Sequence, residues 1–334
     1  MTTIYDIARM AGVSVATVSR HLNGTATVLP ETASRIQQAI DETGFAPNRA
    51  ASSLTTKRTG LIGFLTDDMI NPFTAEVAQA MTEEAGELGF SLLTAITGGR
   101  EDRFLQMLTE LRRHQVDGVV VTPPPTQRTL AAVTELIAGG TPLTTLGVDL
   151  SDAGAAFVSV DTYSGAFTAV QHLIDLGHRR IGFIGGPNPM IGRGRLDGYT
   201  EALRSASIPV DQRLIVGDTL DREGGARALE RLIATSRPPT AVFAINDVMA
   251  LGAMQVAHGR RIRIPDDMSV VGFDDIAMAS YASPALTTVA QPKALLGRIA
   301  ARFVVAQLLD RTTPEPLRLA SELIVRASTA SPPT

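Results

Sequence analysis

The chain of 334 residues has no cysteine. That excludes disulfides, thiolate metal sites and cysteine nucleophiles, and it suits a cytoplasmic setting. No apolar run approaches the length of a membrane span, and the first residues lack the basic-then-apolar layout of a signal peptide. Three catalytic signatures are missing as well: G-x-x-x-x-G-K-[ST], H-E-x-x-H and G-x-S-x-G. The Gly-rich run GFIGGPNPMIGRG (182–194) lacks dinucleotide-fingerprint spacing and reads as a loop. His172, His178 and His258 sit in helical or linker settings and read as structural. No cofactor, no metal and no enzymatic activity are therefore expected. Excess charge is scarce too: the net charge of −4 argues against indiscriminate polyanion binding. Its distribution is uneven, since residues 1–58 carry six Lys/Arg against four Asp/Glu, a balance of +2 that leaves −6 on the remainder. At 44% apolar and 19% charged residues the composition is that of a globular chain, long enough for more than one domain.

The strongest positive feature is TIYDIARMAGVSVATVSRHLN (3–23). Thr3 and Asp6 have capping-box spacing, so a helix is expected from Ile4, with Ile4, Ile7, Ala8 and Ala11 on one face. Gly12 offers a left-handed turn position, and Ser14 is placed to cap a second helix. In that helix Val18 and Leu22 face inward, leaving Val15, Ala16, Ser19 and Arg20 to face out. This is a helix-turn-helix pattern, whose second helix presents its first residues to DNA bases. A third helix is expected from about Pro30 to Thr43, with Ala33, Ile36 and Ile40 on one face and Gly44 as its left-handed cap. The linker that follows is small and polar except for Leu54, and a helix that short needs a partner to be ordered.

From Gly60 the pattern becomes strands alternating with helices. LIGFLT (61–66), SLLTAI (91–96), GVVVT (118–122) and PLTTL (142–146) read as strands, separated by helices near 74–88, 101–114 and 127–138. Residues 180–184 echo residues 60–64, with Ile181 standing 119 positions after Ile62, and AVFAIN (241–246) and MSVVGF (268–273) follow. The fold class expected is a small all-α helix-turn-helix headpiece plus an α/β core of two doubly wound parallel-sheet subdomains. A ligand cleft is expected between them, at the carboxyl ends of the strands.

Along nearly its whole length the sequence resembles the LacI/GalR family of bacterial transcription regulators. The resemblance rests on residues 3–23, FAPNRAASSL (45–54), NPF (71–73), HLIDLGHRRIGFIGG (172–186), RLDGY (195–199), INDVMALGAM (245–254), PDDMSVVGFDD (265–275) and LTTVAQP (286–292), all in order. It implies a headpiece (1–45), a hinge helix (46–58) and a periplasmic-binding-protein-like core (59–330). The core divides into an N-subdomain of about 59–160 plus 291–320 and a C-subdomain of about 161–290 plus 321–330. The implied function is a repressor that binds a near-palindromic double-stranded DNA operator as a homodimer, away from membranes and under the control of a small-molecule effector, a sugar or sugar derivative. The chain shows no leucine heptads at its end, so a dimer is expected rather than a tetramer.

By this resemblance Val15 and Ala16 take base-contact positions, packing on thymine methyls or admitting the helix deep into the groove. Arg20 binds guanine or a phosphate, and Thr17 and Ser19 contact phosphates. Asn23 contacts DNA or caps its helix. Leu54 either wedges into the minor groove, flanked by Asn48, Arg49 and Ala51, or packs on the next domain. In the core Arg195, Asn246 and Asp274 point into the effector cleft, with Phe73, Asp161 and Gln291 as further candidates. The other reading of Asp274 is an ion pair between subdomains, and Asp275 reads as a turn or capping group. Several positions depart from the family pattern. Thr219 replaces an aromatic, Gly147 replaces an Asp with Asp149 nearby, Thr162 replaces an Asn, and Leu29 replaces a capping Ser. Arg193 favours an anionic effector or is a solvated charge, and His21 has no assigned role. The main rivals are an α/β enzyme and an exported solute-binding protein. The first lacks a catalytic motif, and the second does not explain residues 3–23.

Overall fold

The computed structural model describes residues 2–23, 28–45, 58–187 and 192–333. They fall into two units, Met1–Thr59 and Gly60–Thr334. In the first unit, helices α1 (Ile4–Ala11), α2 (Val15–Asn23) and α3 (Pro30–Thr43) enclose Ile7, Ala8, Ala11, Val18, Ile36 and Ala39. The Asp6 carboxylate accepts from the Thr3 backbone N–H at 3.0 Å and starts α1, and Gly12 ends it at φ 65°. Ser14 Oγ accepts from the Thr17 N–H at 3.2 Å, capping α2. Leu29 offers no side-chain cap to α3, which begins on Pro30 and stops at Gly44. Val15, expected to face outward, is instead half-buried against the core. A side chain in the first turn of a helix leans back over the preceding turn, and here that turn is hydrophobic. Three of the six buried residues are alanine, so this core contributes little stability.

The second unit holds two six-stranded sheets. The first contains β1 (Leu61–Thr66), β2 (Ser91–Ile96), β3 (Gly118–Val121), β4 (Leu143–Leu146), β5 (Ala156–Val160) and β11 (Leu317–Leu319). Its order is β2-β1-β3-β4-β5-β11, all parallel. The second contains β6 (Ile181–Gly185), β7 (Ile215–Gly217), β8 (Ala241–Ala244), β9 (Ser269–Asp274), β10 (Thr287–Ala290) and β12 (Glu322–Ile324). Its order is β7-β6-β8-β9-β10-β12, with only β12 antiparallel. β1 and β6 thus hold the same place in two copies of one topology, which accounts for their sequence echo. In each copy the strand order reverses beside that strand, creating a crevice at its carboxyl end.

Helices α4 (Pro72–Glu87) and α12 (Lys293–Leu309) cover one face of the first sheet, and α5 (Glu101–Arg113) and α6 (Gln127–Ala138) the other. The second sheet packs against α7 (Thr162–Asp175), α8 (Arg193–Ser205), α9 (Arg222–Ile233) and α10 (Asp247–Gly259), with the short α11 (Ala277–Tyr281) beyond β9. The chain passes between lobes three times: after β5, after β10, and between β11 and β12. The run 182–194 is not all loop, since β6 continues to Gly185 and α8 begins at Arg193. Apolar flanks let its glycines pack inside regular structure. Strands β7, β11 and β12 are three residues long each, too short to show a period in sequence. Gly225 and Gly252 let α9 and α10 touch backbone to backbone: a Cβ on either would collide with the carbonyl of Met249 or Arg222. That contact sets the position of the α10 N-terminus.

The segment after β12 folds under the second sheet and is pinned by the buried His178. Its Nδ1 lies 2.8 Å from Thr240 Oγ1 and its Nε2 2.9 Å from the Ala330 carbonyl. A carbonyl only accepts, so Nε2 carries the proton and Nδ1 accepts from the threonine hydroxyl. Burial pulls the His178 pKa below the ordinary value, the Ala330 carbonyl opposes this, and His172 adds a small downward push. Burial lowers His172 likewise. An unfolded histidine titrates near ~6.5, so below that pH the unfolded chain binds more protons and stability is lost. Between pH 7.5 and 5.5 the wild type is therefore expected to lose stability relative to His178→Gln in urea unfolding. An equal or steeper loss in the variant contradicts the assignment.

Candidate functional site

Two sites can be built, one on each unit. On the first, α2 carries the residues singled out in sequence. Ala16 and Arg20 are exposed, Thr17 and Ser19 are half-buried, and Val15 leans on the core. Arg20 lies back along its own helix, with Nε donating to the Ala16 carbonyl at 3.2 Å. The Thr17 hydroxyl is 2.9 Å from Ser14 Oγ, which ties it to the helix cap. Asn48, Arg49, Ala51 and Leu54 lie outside the described residues, as does the side chain of Asn23.

On the second unit the carboxyl end of β9 meets the starts of α4 and α12 at Asp274. This residue is 2% exposed and ends β9, rather than following it, at a φ of 115°. That left-handed backbone is costly for a residue with a Cβ and turns the carboxylate out of the strand. Gln291 Nε2 donates to Asp274 Oδ1 at 2.6 Å, and Arg195 Nη2 lies 3.6 Å from the same oxygen. The Arg195 guanidinium rests 4.2 Å from the centre of the Phe273 ring. Its Nε is buried with no hydrogen-bond partner among the described residues. From the first lobe, the Asn71 side chain hydrogen-bonds the carboxyl while also capping α4 through the Phe73 N–H. Burial pushes the Asp274 pKa up to about 6, against the pull of Arg195, Gln291, Asn71 and Lys293.

The other expected cleft residues divide. Gln291 is 7% exposed and belongs to this cluster, and Phe73 is half-buried in the first turn of α4. Asn246 and Asp161 are helix caps. Asn246 Oδ1 accepts from the Met249 N–H at 2.8 Å and its Nδ2 donates to the Leu220 carbonyl at 3.4 Å. Asp161 accepts from the backbone and hydroxyl of Ser164 at 3.0 and 2.7 Å. Each caps a helix with part of its hydrogen-bonding capacity, and Asn246 keeps an amide proton and Asp161 further lone pairs beyond those bonds. Arg193 resolves as a solvated charge paired with Asp197 at 2.8 Å. Asp275 pairs with Arg326 at 2.6 Å, and Asp149 with Ser151 and Arg318. Thr219, in place of an aromatic, joins a polar knot with Asp221 and Arg227.

Three residues escaped the sequence reading. Asp247, fully buried beside this cluster, accepts from the Ile276 N–H at 2.9 Å and from the Thr288 hydroxyl. Burial, and then Asp274, push its pKa up to about 8. In sequence it looks like any acidic residue in a first helical turn. Asn71 lies in the NPF segment but was not singled out, and Lys293 has no pattern to mark it.

Comparison with known proteins identifies the family. A model described as "Bacterial regulatory proteins, lacI family" matches residues 3–48, and a periplasmic binding protein-like domain matches residues 170–329. The HTH-type transcriptional regulator DegA of Bacillus subtilis is 35% identical over 335 residues, covering 98% of both chains. The chain belongs to the LacI family of bacterial transcription regulators. Among solved structures, a lac repressor dimer bound to operator and an anti-inducer matches 98% of this chain and 99% of that one, at 27% identity and a TM-score of 0.86. A complex of the transcriptional regulator CelR with cellobiose matches 98% of this chain and 100% of that one, at 33% identity and a TM-score of 0.72. As a LacI-family member the protein is a DNA-binding transcription regulator, its headpiece carrying the helix-turn-helix and its core the two α/β lobes. Among the described residues no helix is long and apolar enough to cross a membrane.

The buried carboxylate has a measurable cost. Because its folded pKa of about 6 lies above the unfolded value, the associated stability is complete below pH ~4 and is lost as pH rises through 6. Asp274→Asn is therefore expected to unfold later than the wild type at pH 7.5, by on the order of 1–3 kcal/mol in chemical denaturation. The advantage should vanish near pH 4. A variant less stable at pH 7.5 contradicts the assignment.

Proposed function

We propose that this LacI-family chain is a repressor that binds a near-palindromic operator as a homodimer, with its affinity set by a small carbohydrate or related metabolite held between the lobes. The observation that carries the reading is the Arg195–Asp274 pair, a donor fork with one N–H unused among the described residues, beside a carboxylate at the junction of two lobes. A carboxylate accepts from two neighbouring hydroxyls while a guanidinium donates to ring or hydroxyl oxygens. Gln291 orients Asp274, Phe73 supplies an apolar wall, and Asn246 and Asp161 offer their remaining polar positions to the ligand while fixing the helix ends around the pocket. The cellobiose complex of the related CelR supports a sugar as effector class.

On DNA, Val15 and Ala16 approach base edges, Thr17 and Ser19 position the helix on phosphates, and Arg20 unfolds from its helix to reach a base or phosphate. One headpiece with so few base contacts reads little, so two act together. The segment 46–58 joins headpiece to core, with Leu54 wedged into the minor groove and Asn48, Arg49 and Ala51 beside it. The core is read as 59–330, an N-subdomain of about 59–160 plus 291–320 and a C-subdomain of about 161–290 plus 321–330. The chain is read as a cytoplasmic, non-enzymatic regulator: its relatives regulate transcription, and its polar cluster holds a recognition pair rather than a nucleophile with its base. Effector and operator then change each other's affinity by one common factor.

Selection from random duplexes should return a near-palindrome that the full chain retards in a gel. Against it, Leu54→Ala should lose at least tenfold in specific affinity and little in non-specific affinity. Equal losses on both DNAs remove the wedge role, and failure to select any site removes the regulator reading. A screen of mono- and disaccharides, cellobiose included, should yield a compound that shifts operator affinity in the wild type and not in Arg195→Met. A compound that shifts both proteins equally places the effector elsewhere.

A further inference from the structure

Lys293 stands at the second passage between the lobes, three residues beyond β10 and on the first turn of α12. A cation is disfavoured there, because the N-terminus of a helix already carries partial positive charge. Its side chain is only 12% exposed. The ammonium group has three N–H donors and meets three acceptors. Two are the backbone carbonyls of Asp274, at 3.2 Å, and of Asp275. The third is Glu76 Oε2 at 3.3 Å, on α4 of the first lobe. Asp274 and Asp275 are consecutive left-handed residues, with φ of 115° and 51°. Two such residues in a row carry strain that only surrounding contacts can hold.

We infer that Lys293 is a positioning residue: it clamps the left-handed turn at Asp274–Asp275 onto α4, so that the direction of the Asp274 carboxylate is tied to the position of the first lobe. The inference rests on the reading of Asp274 as a recognition group, yet it concerns how that group is aimed. Asn71 closes the same circuit from the other side, since it caps α4 and hydrogen-bonds the Asp274 carboxyl. Any shift of α4 against the second sheet therefore pulls on the carboxyl through Asn71 and on its backbone through Lys293. With only the first tie the carboxyl could follow α4 by rotating its side chain. With both, the turn itself has to move.

The test uses the full chain with carbon-13 in its aspartate carboxyls, the Asp274 signal being identified by its loss in Asp274→Asn. The charged groups around Asp274 are Arg195 from α8, Lys293 from α12 with Glu76 behind it, Asp247 from α10, and Asp275 with its partner Arg326. Lys293→Met removes a cation and should raise the Asp274 titration midpoint by about half a unit or more. Glu76→Gln removes the anion behind that cation and should lower it. Opposite shifts place both charges in the field of the carboxylate, which mere loosening of the fold does not produce, and the clamp on the backbone is read by hydrogen exchange. Hydrogen exchange on the same proteins adds a second readout. In Lys293→Met the amides of residues 275–277 should exchange at least tenfold faster, while those of β8 keep their wild-type rates. Unchanged midpoints, shifts of one sign, or unchanged exchange at 275–277 overturn the inference. Should Lys293→Met fail to fold, the more exposed Glu76 still decides it: an Asp274 midpoint unmoved or raised in Glu76→Gln overturns the clamp. Failure here leaves the effector reading standing, because the saccharide screen tests that separately. A clamp without any saccharide response removes the effector reading and keeps the clamp.

Discussion

One buried carboxylate organises the core of this protein. Asp274 lies where the last residue of a central strand in one lobe meets the start of a helix in the other, and groups from both lobes converge on it. Burying a charge of this kind is unfavourable, as its raised pKa records, and it is held by Arg195, Gln291, Asn71 and Lys293 acting together. Asp247, a second buried carboxyl nearby, has its pKa pushed up to about 8 by burial and by Asp274. A fold built for stability alone would place apolar residues here. Retaining two carboxyls and a half-satisfied arginine is the mark of a site that recognises something.

The architecture makes that spot sensitive to motion. Two copies of one parallel topology are joined only by three short passages, so each lobe is rigid while their mutual orientation is not fixed by a continuous sheet. Close backbone packing at Gly225 and Gly252 keeps the second lobe stiff. A polar group presented by both lobes then reports their relative position, and a molecule binding it favours one arrangement over another. The headpiece has the opposite character. Its alanine-rich core is thin, which suits a module whose order depends on what it binds.

Much of this was legible from residue order. Thr3, Gly12, Ser14, Pro30 and Gly44 mark helix ends through interactions spanning a few residues, and the helices lie where those signals put them. The apolar runs of β1 and β2 coincide with the strands, and the repeat of β1 in β6 foretold two equivalent sheets. Val15 was misread because outward orientation was taken from helical period alone, with no account of the turn behind it. The run 182–194 was misread because glycine suggests loops, although in β6 it lets neighbouring side chains close over the strand.

The candidate site divides along the same line. Residue types and motif order sufficed to choose Arg195, Asp274 and Gln291, because their chemistry and their places at strand ends are properties of the sequence. They did not show that Asn246 and Asp161 also cap the helices that follow them. Nor could they find Asn71, Asp247 or Lys293, which matter only through partners brought from distant stretches of chain. The sequence by itself thus determined the family, the helix-turn-helix and the two-lobed plan, since these follow from local period, capping and motif order. The tertiary structure decided which polar groups share Asp274 and at what cost. Burial, and contacts between residues as far apart as Glu76 and Lys293, exist only once the lobes have folded and met.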